Sequence, residues 1–240
     1  NSSTMRIGYL NFDASGRHGE NPMNDVRVRK AIAHSINREG IVEALVQGES
    51  IVVNSLCFPT QFGCTQDVAK YDYNPEKAKE LLAEAGYPNG FETPFLAYRN
   101  RDYAEAMINN LNAVGITVKF TYLKYAAFRD KVQDGGSPFN FGTWGSYSIN
   151  DVSAITSHFQ RGGKDDYSRD SEVMENLSIG DTSVDLAVRK DAYKKALSRI
   201  AEEVFMFPLW SYNTNYAFSK DLNFNPTPDE IPRFFTATWK

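Results

Sequence analysis

Histidine is scarce in this chain, and cysteine scarcer. The three histidines, His18, His34 and His158, stand apart, and none forms the H-E-x-x-H pair of a zinc hydrolase. The two cysteines, Cys57 and Cys64, have no further Cys or His beside them, so they make no zinc site. There is no G-x-S-x-G elbow, and the Gly-Lys in "RGGKDD" lacks the flanking residues of a phosphate loop. No apolar run approaches the ~20 residues that a membrane helix needs. No basic block is interleaved with aromatics and the net charge is -4, which argues against nucleic acid as a partner. No set of residues points to catalysis, and no cofactor or metal is expected.

What remains is a packed α/β pattern. The 240 residues fit one large domain or two small ones. "TMRIGYLNF" reads as a strand, and Asn24 and Asp25 cap the helix that follows, with Val28, Ala31 and Ile32 on one face. Asn37 caps a second helix that Gly48 can end. In "YNPEKAKELLAEAGYPNG", Asn74 caps, Pro75 takes the first helical position and Gly86 terminates. "ETPFLAY", a helix over "RDYAEAMINNLNAVG" and the alternating "ITVKFTYL" form a βαβ unit. A helix over "AAFRDKVQDG" and a short strand, "FNFGTW", come next. "DTSVDLAVRKDAYKKALSRIAEEVF" reads as one long helix capped near Ser183, with Leu186, Tyr193, Leu197, Ile200 and Val204 as its core stripe. "FMFPLWSYNTNYAFSKDL" reads as two strand pieces around "SYNTN", and the proline-rich tail as extended coil.

Two segments lie at carboxyl ends of predicted strands, where ligands gather in open α/β sheets. One holds Tyr98, Arg99 and Arg101. The other is "FGTWGSYSIND", with Trp144, Tyr147 and Asp151. A Trp set among Gly and Ser points to a ligand rim. Asp151 has a second reading as the cap of the next helix, and His158 reads as a packed or surface histidine with a pocket contact as the alternative. The segment between Cys57 and Cys64 is a loop, and the residues alone leave a disulfide and two free thiols equally open.

The blocks "NPMNDVRVRKAIAHSINREGIVEALVQGES", "YDYNPEKAKELLAEAGYPNGF", "AVGITVKFTYL", the Trp loop and "RKDAYKKALSRIAEEVFMFPLW", in this order, closely resemble the family 5 (peptide/nickel-type) extracellular solute-binding proteins of ABC importers. The resemblance implies a type II periplasmic-binding-protein-like lobe, a mixed sheet flanked by helices. In the family these blocks form the second half. Residues 1–240 are thus expected to be one carboxyl-terminal lobe, with a hinge-proximal strand at 1–12 and a return segment toward the missing amino-terminal lobe at 205–240. Some of the aromatics near the carboxyl end would then be exposed.

The implied role is capture of a small solute (peptide, opine or similar) and delivery to the ABC permease membrane subunits. It implies a periplasmic or extracellular location, export by a signal peptide not present in these residues, and a Cys57–Cys64 bridge. The second reading of the whole is a sensory module that signals occupancy to a receptor or regulator. In the peptide binders an Asp follows the Trp by a few residues and meets the ligand's amino group; here Tyr147 stands in its place. In nickel-type members a Trp and a nearby Tyr line the pocket, as Trp144 and Tyr147 would.

Overall fold

The computed structural model describes residues 1–240. Five strands form one mixed sheet in the order β3-β2-β4-β1-β5. They are β1 (Ser2–Phe12), β2 (Phe91–Ala97), β3 (Ile116–Tyr122), β4 (Phe139–Trp144) and β5 (Met206–Thr214). β2 runs parallel to both β3 and β4, whereas β1 is antiparallel to both β4 and β5. The carboxyl ends of four strands therefore share one edge of the sheet with the amino end of β1.

Helices cover both faces. α1 (Val26–Ser35), α3 (Pro75–Glu84) and α4 (Arg101–Ala113) pack on the face that carries Leu10, Phe12, Phe95, Ala97, Phe141 and Leu209. α6 (Ser153–Phe159), α7 (Ser171–Thr182) and α8 (Leu186–Glu203) cover the other, against Ile7, Tyr9 and Met206. Alternate residues of β1 thus enter opposite cores, as the two-residue period of a strand requires. α5 (Tyr125–Gln133) adds Phe128 and Val132 against Leu96. A short helix, α2 (Arg38–Ile41), continues as a π turn to Val46.

The expected caps are in place. Asp25 accepts from the Arg27 N–H, Asn37 from Gly40 and Asn74 from Lys77. Gly86 ends α3 at φ +92°, a conformation that side chains avoid.

Three expectations are corrected. The segment before α8 is a separate helix, α7, and Asp185 caps α8 by accepting from Ala187 and Val188. Leu186 consequently sits on the first turn at 60% exposure rather than in the core. "MFPLWSYNT" is one strand, because β1 pairs with it from Asn11↔Met206 to Ser2↔Thr214, with register shifts between. Pro208 is tolerated there because β5 is the last strand of the sheet, where a missing N–H interrupts no inner ladder. The tail is not all coil: Leu222–Asn223 pairs with Thr238–Trp239. The aromatics of the last stretch divide. Phe205, Phe207, Trp210 and Tyr212 are buried, while Phe234, Phe235 and Trp239 are exposed.

Candidate functional site

A cavity of about 370 Å³ lies at the shared strand edge. β2 delivers Tyr98 and Arg99 to it, β4 delivers Thr143 and Trp144, and β1 delivers Arg6. Gly145, Tyr147 and Ser148 come from the following loop, Tyr125 from the start of α5, and Glu230 from the tail. Tyr125 and Tyr147 are 55% and 64% exposed, so their rings form a rim rather than a core.

Trp144 is not on a pliable loop. It is the last residue of β4, and its Nε1–H donates to the Ala154 carbonyl at 3.0 Å. Its indole stacks on the His158 imidazole, with centroids 4.1 Å apart, and meets Tyr147 edge-on at 4.7 Å. The loop beyond is held in an unusual conformation. Ser146, Tyr147 and Ser148 have φ of 54°, 49° and 62°, the left-handed region in three successive non-glycine residues. Each such residue costs on the order of 1 kcal/mol, which the surrounding contacts must offset.

Those contacts come from two sides. The Tyr147 hydroxyl lies 3.3 Å from His158 Nδ1, and His158 Nε2 lies 3.2 Å from Asp165 Oδ2. Arg129 closes the row with a bidentate pair to Asp165 at 2.5 and 2.7 Å. Burial alone would raise the Asp165 carboxyl; hydrogen bonds from His158 and Arg129 outweigh it and hold the group well below the usual carboxylate range. From the other side, the Cys57–Cys64 loop braces the strained loop's exit. The Phe62 N–H donates to Asn150 O, Val152 N–H to Phe62 O, and Gln61 Nε2 to Ile149 O. The two cysteines form a disulfide.

Of the residues singled out from the sequence, Tyr98, Arg99, Trp144 and Tyr147 meet in the cavity. Asp151 and Arg101 do not. Asp151 accepts from the Ser153 N–H and pairs with Arg189 at 2.8 Å, so it braces the turn that leads into α6. Arg101 turns along α4 to pair with Glu105 at 2.7 Å. Sequence reasoning missed Arg6 and Glu230, which pair at 2.9 Å across the cavity wall. The available signal was Arg6 as the one charged residue of the first strand.

The sequence matches the model of bacterial extracellular solute-binding proteins, family 5 Middle, over residues 1–166. The chain belongs to this family. Among family 5 relatives, it is 31% identical over 139 residues to the dipeptide-binding protein of Escherichia coli (strain K12), covering 55% of this chain and 25% of that one. HbpA2 from Haemophilus parasuis superposes with a TM-score of 0.84 at 24% identity, over 99% of this chain and 49% of that one. AgaA of A. tumefaciens R10, solved in complex with agropinic acid, gives a TM-score of 0.78 at 26% identity, over 92% and 46%. The chain therefore spans about half the length of these solved structures. Its fold is that of the family 5 periplasmic binding proteins, a mixed sheet flanked by helices.

Proposed function

We propose that this chain is the carboxyl-terminal lobe of the substrate-binding component of an ABC importer. It captures a small peptide or peptide-like solute outside the cytoplasm and delivers it to the membrane permease. The observation that carries this reading is the one-sided cavity at the strand edge, where Tyr98, Trp144 and Tyr147 present aromatic rings beside charged groups. Exposed aromatic rings around a concave wall are costly in water and favourable once a partner covers them. In the two-lobe arrangement, hinge closure brings the other jaw over this wall, and β1 and the segment from Phe205 onward lie on the hinge side. Binding then needs no chemistry from the lobe, only shape, apolar contact and matched charge.

The test is to purify the full-length protein gently from its native host, denature it and identify the released small molecule by mass spectrometry. A peptide or peptide-like acid is expected. Release of a bare metal ion or a neutral sugar would overturn the solute class. A protein whose purified form turns over substrate would overturn the reading as a carrier.

A further inference from the structure

His158 does not line the cavity, yet two residues that do line it meet on its ring. Trp144 lies on one face, with centroids 4.1 Å apart. The Tyr147 hydroxyl lies 3.3 Å from Nδ1. On the far side, Asp165 Oδ2 lies 3.2 Å from Nε2, and Arg129 of α5 holds that carboxylate at two points. The His158 side chain is 22% exposed, so solvent protons reach it. The other titratable groups around α6 are occupied. Arg161, in the turn after α6, pairs with Asp181 of α7. Tyr9 of β1 packs on Phe159, and burial raises its hydroxyl well above the ordinary value, so it stays neutral.

We infer that protonation of His158 sets which hydrogen bond Tyr147 offers to a solute, and so couples solute binding to pH. The inference rests on the reading of the cavity as one jaw of a solute cleft. Histidine is the side chain that changes charge between about pH 5 and pH 8. Neutral imidazole has one N–H and one bare nitrogen, whereas imidazolium has two N–H groups. Asp165 stays a carboxylate over this range and can only accept, so it favours a proton on Nε2 in both states. Nδ1 is then the atom that changes. Bare, it accepts the Tyr147 O–H, and the hydroxyl's lone pairs are left to the solute. Protonated, it donates to the Tyr147 oxygen, and the O–H is released toward the cavity. The rim thus turns from acceptor to donor at Tyr147. The imidazolium also gains a cation–π contact with the Trp144 face. Asp165 does not cancel the added charge, because Arg129 already pairs with it, so the cluster behind the wall goes from neutral to positive. Both changes favour a solute carboxylate or carbonyl on the acid side.

The test is calorimetry on the full-length protein at pH 5.5 and pH 8 with N-acetyl-Ala-Phe, a peptide acid whose charge is constant over this range. It is expected to bind at least about threefold more tightly at pH 5.5, the gain of one hydrogen bond. His158→Gln is expected to bring the two affinities together. Tyr147→Phe, at an exposed rim position, is expected to shrink the gap as well. A solute-free readout accompanies these. Imidazolium stacked on indole quenches its emission, so the Trp144 emission, taken as parent minus Trp144→Phe, should fall on acidification. Equal affinity at the two pH values, a gap that survives in His158→Gln, or a Trp144 emission that does not change with pH overturns the inference and leaves the solute-binding reading standing. Failure of the probe to bind at either pH overturns both.

Discussion

The indole of Trp144 lies nearly flat on the imidazole of His158, with centroids 4.1 Å and planes 21° apart. Through this stack the cavity wall is tied to the Asp165–Arg129 pair behind it. Trp144 thus works from a fixed position: its ring is oriented by a strand end, a hydrogen bond and an aromatic neighbour before any solute arrives. Preorganisation of this kind lowers the ordering cost of binding. Trp144→Ala in the full-length protein is expected to weaken solute binding about tenfold, because a buried aromatic contact is lost. Calorimetry reads this directly, and unchanged affinity would remove Trp144 from the wall.

The Asp165–Arg129 pair has a consequence for stability. Asp165 is almost fully buried, so Arg129→Met leaves a carboxylate without its main partner, at a cost of about 3 kcal/mol. The sign of the pH effect follows from the depressed carboxyl. Its stabilisation is fully present above the unfolded value near ~3.9 and is lost as pH falls below that toward the folded value. Chemical denaturation of the parent is expected to show this acid-side loss from about pH 4 downward. Arg129→Met should flatten that slope. A variant with the parent's pH profile would show that Arg129 does not hold the carboxyl down.

The disulfide loop links stability to the site. Cys57 and Cys64 are separated by 7 positions, and closing so short a loop stabilises by about 2.5 kcal/mol in the chain-entropy account. The same loop holds Ile149, Asn150 and Val152 by backbone and side-chain hydrogen bonds. Cys57→Ala with Cys64→Ala is therefore expected to lower the melting temperature and also to weaken solute binding several-fold. Loss of stability with binding intact at low temperature would separate the brace from the site.

Much of the framework is legible in the sequence because its signals are local. Asn74, Pro75 and Gly86 mark α3 by themselves, and the alternation of Ile116, Val118 and Phe120 marks β3. Tyr98 and Trp144 are legible as site residues because they sit at strand ends, and strand ends can be read from patterning. Arg6 and Glu230 were not, since 224 positions separate them and only the route of the tail over β1 brings them together. Asp151 misled for the opposite reason. Its proximity to Trp144 in sequence suggests the cleft, yet it pairs with Arg189 of α8 and does not line the cavity. α7 escaped notice because few of its residues, chiefly Val173, Leu177 and Gly180, face the core.

The Arg6–Glu230 pair gives a charge test of the cavity wall. Both side chains remain partly exposed, so the pair itself adds little stability. Glu230→Gln frees the Arg6 guanidinium at the wall and is expected to tighten N-acetyl-Ala-Phe about threefold, with the gain shrinking in high salt. Arg6→Gln leaves Glu230 unpaired beside the solute and should weaken the same probe. Responses in the reversed sense would contradict the placement of Arg6 and Glu230 beside the solute.

The most direct measurement is a titration of ¹⁵N-labelled full-length protein with N-acetyl-Ala-Phe, following the indole N–H resonance assigned to Trp144 by its absence in Trp144→Phe. The account predicts that this signal shifts along the calorimetric binding curve while that of Trp210, buried in the sheet core, stays in place. Saturating binding with the Trp144 signal unmoved would place the solute elsewhere and contradict the account.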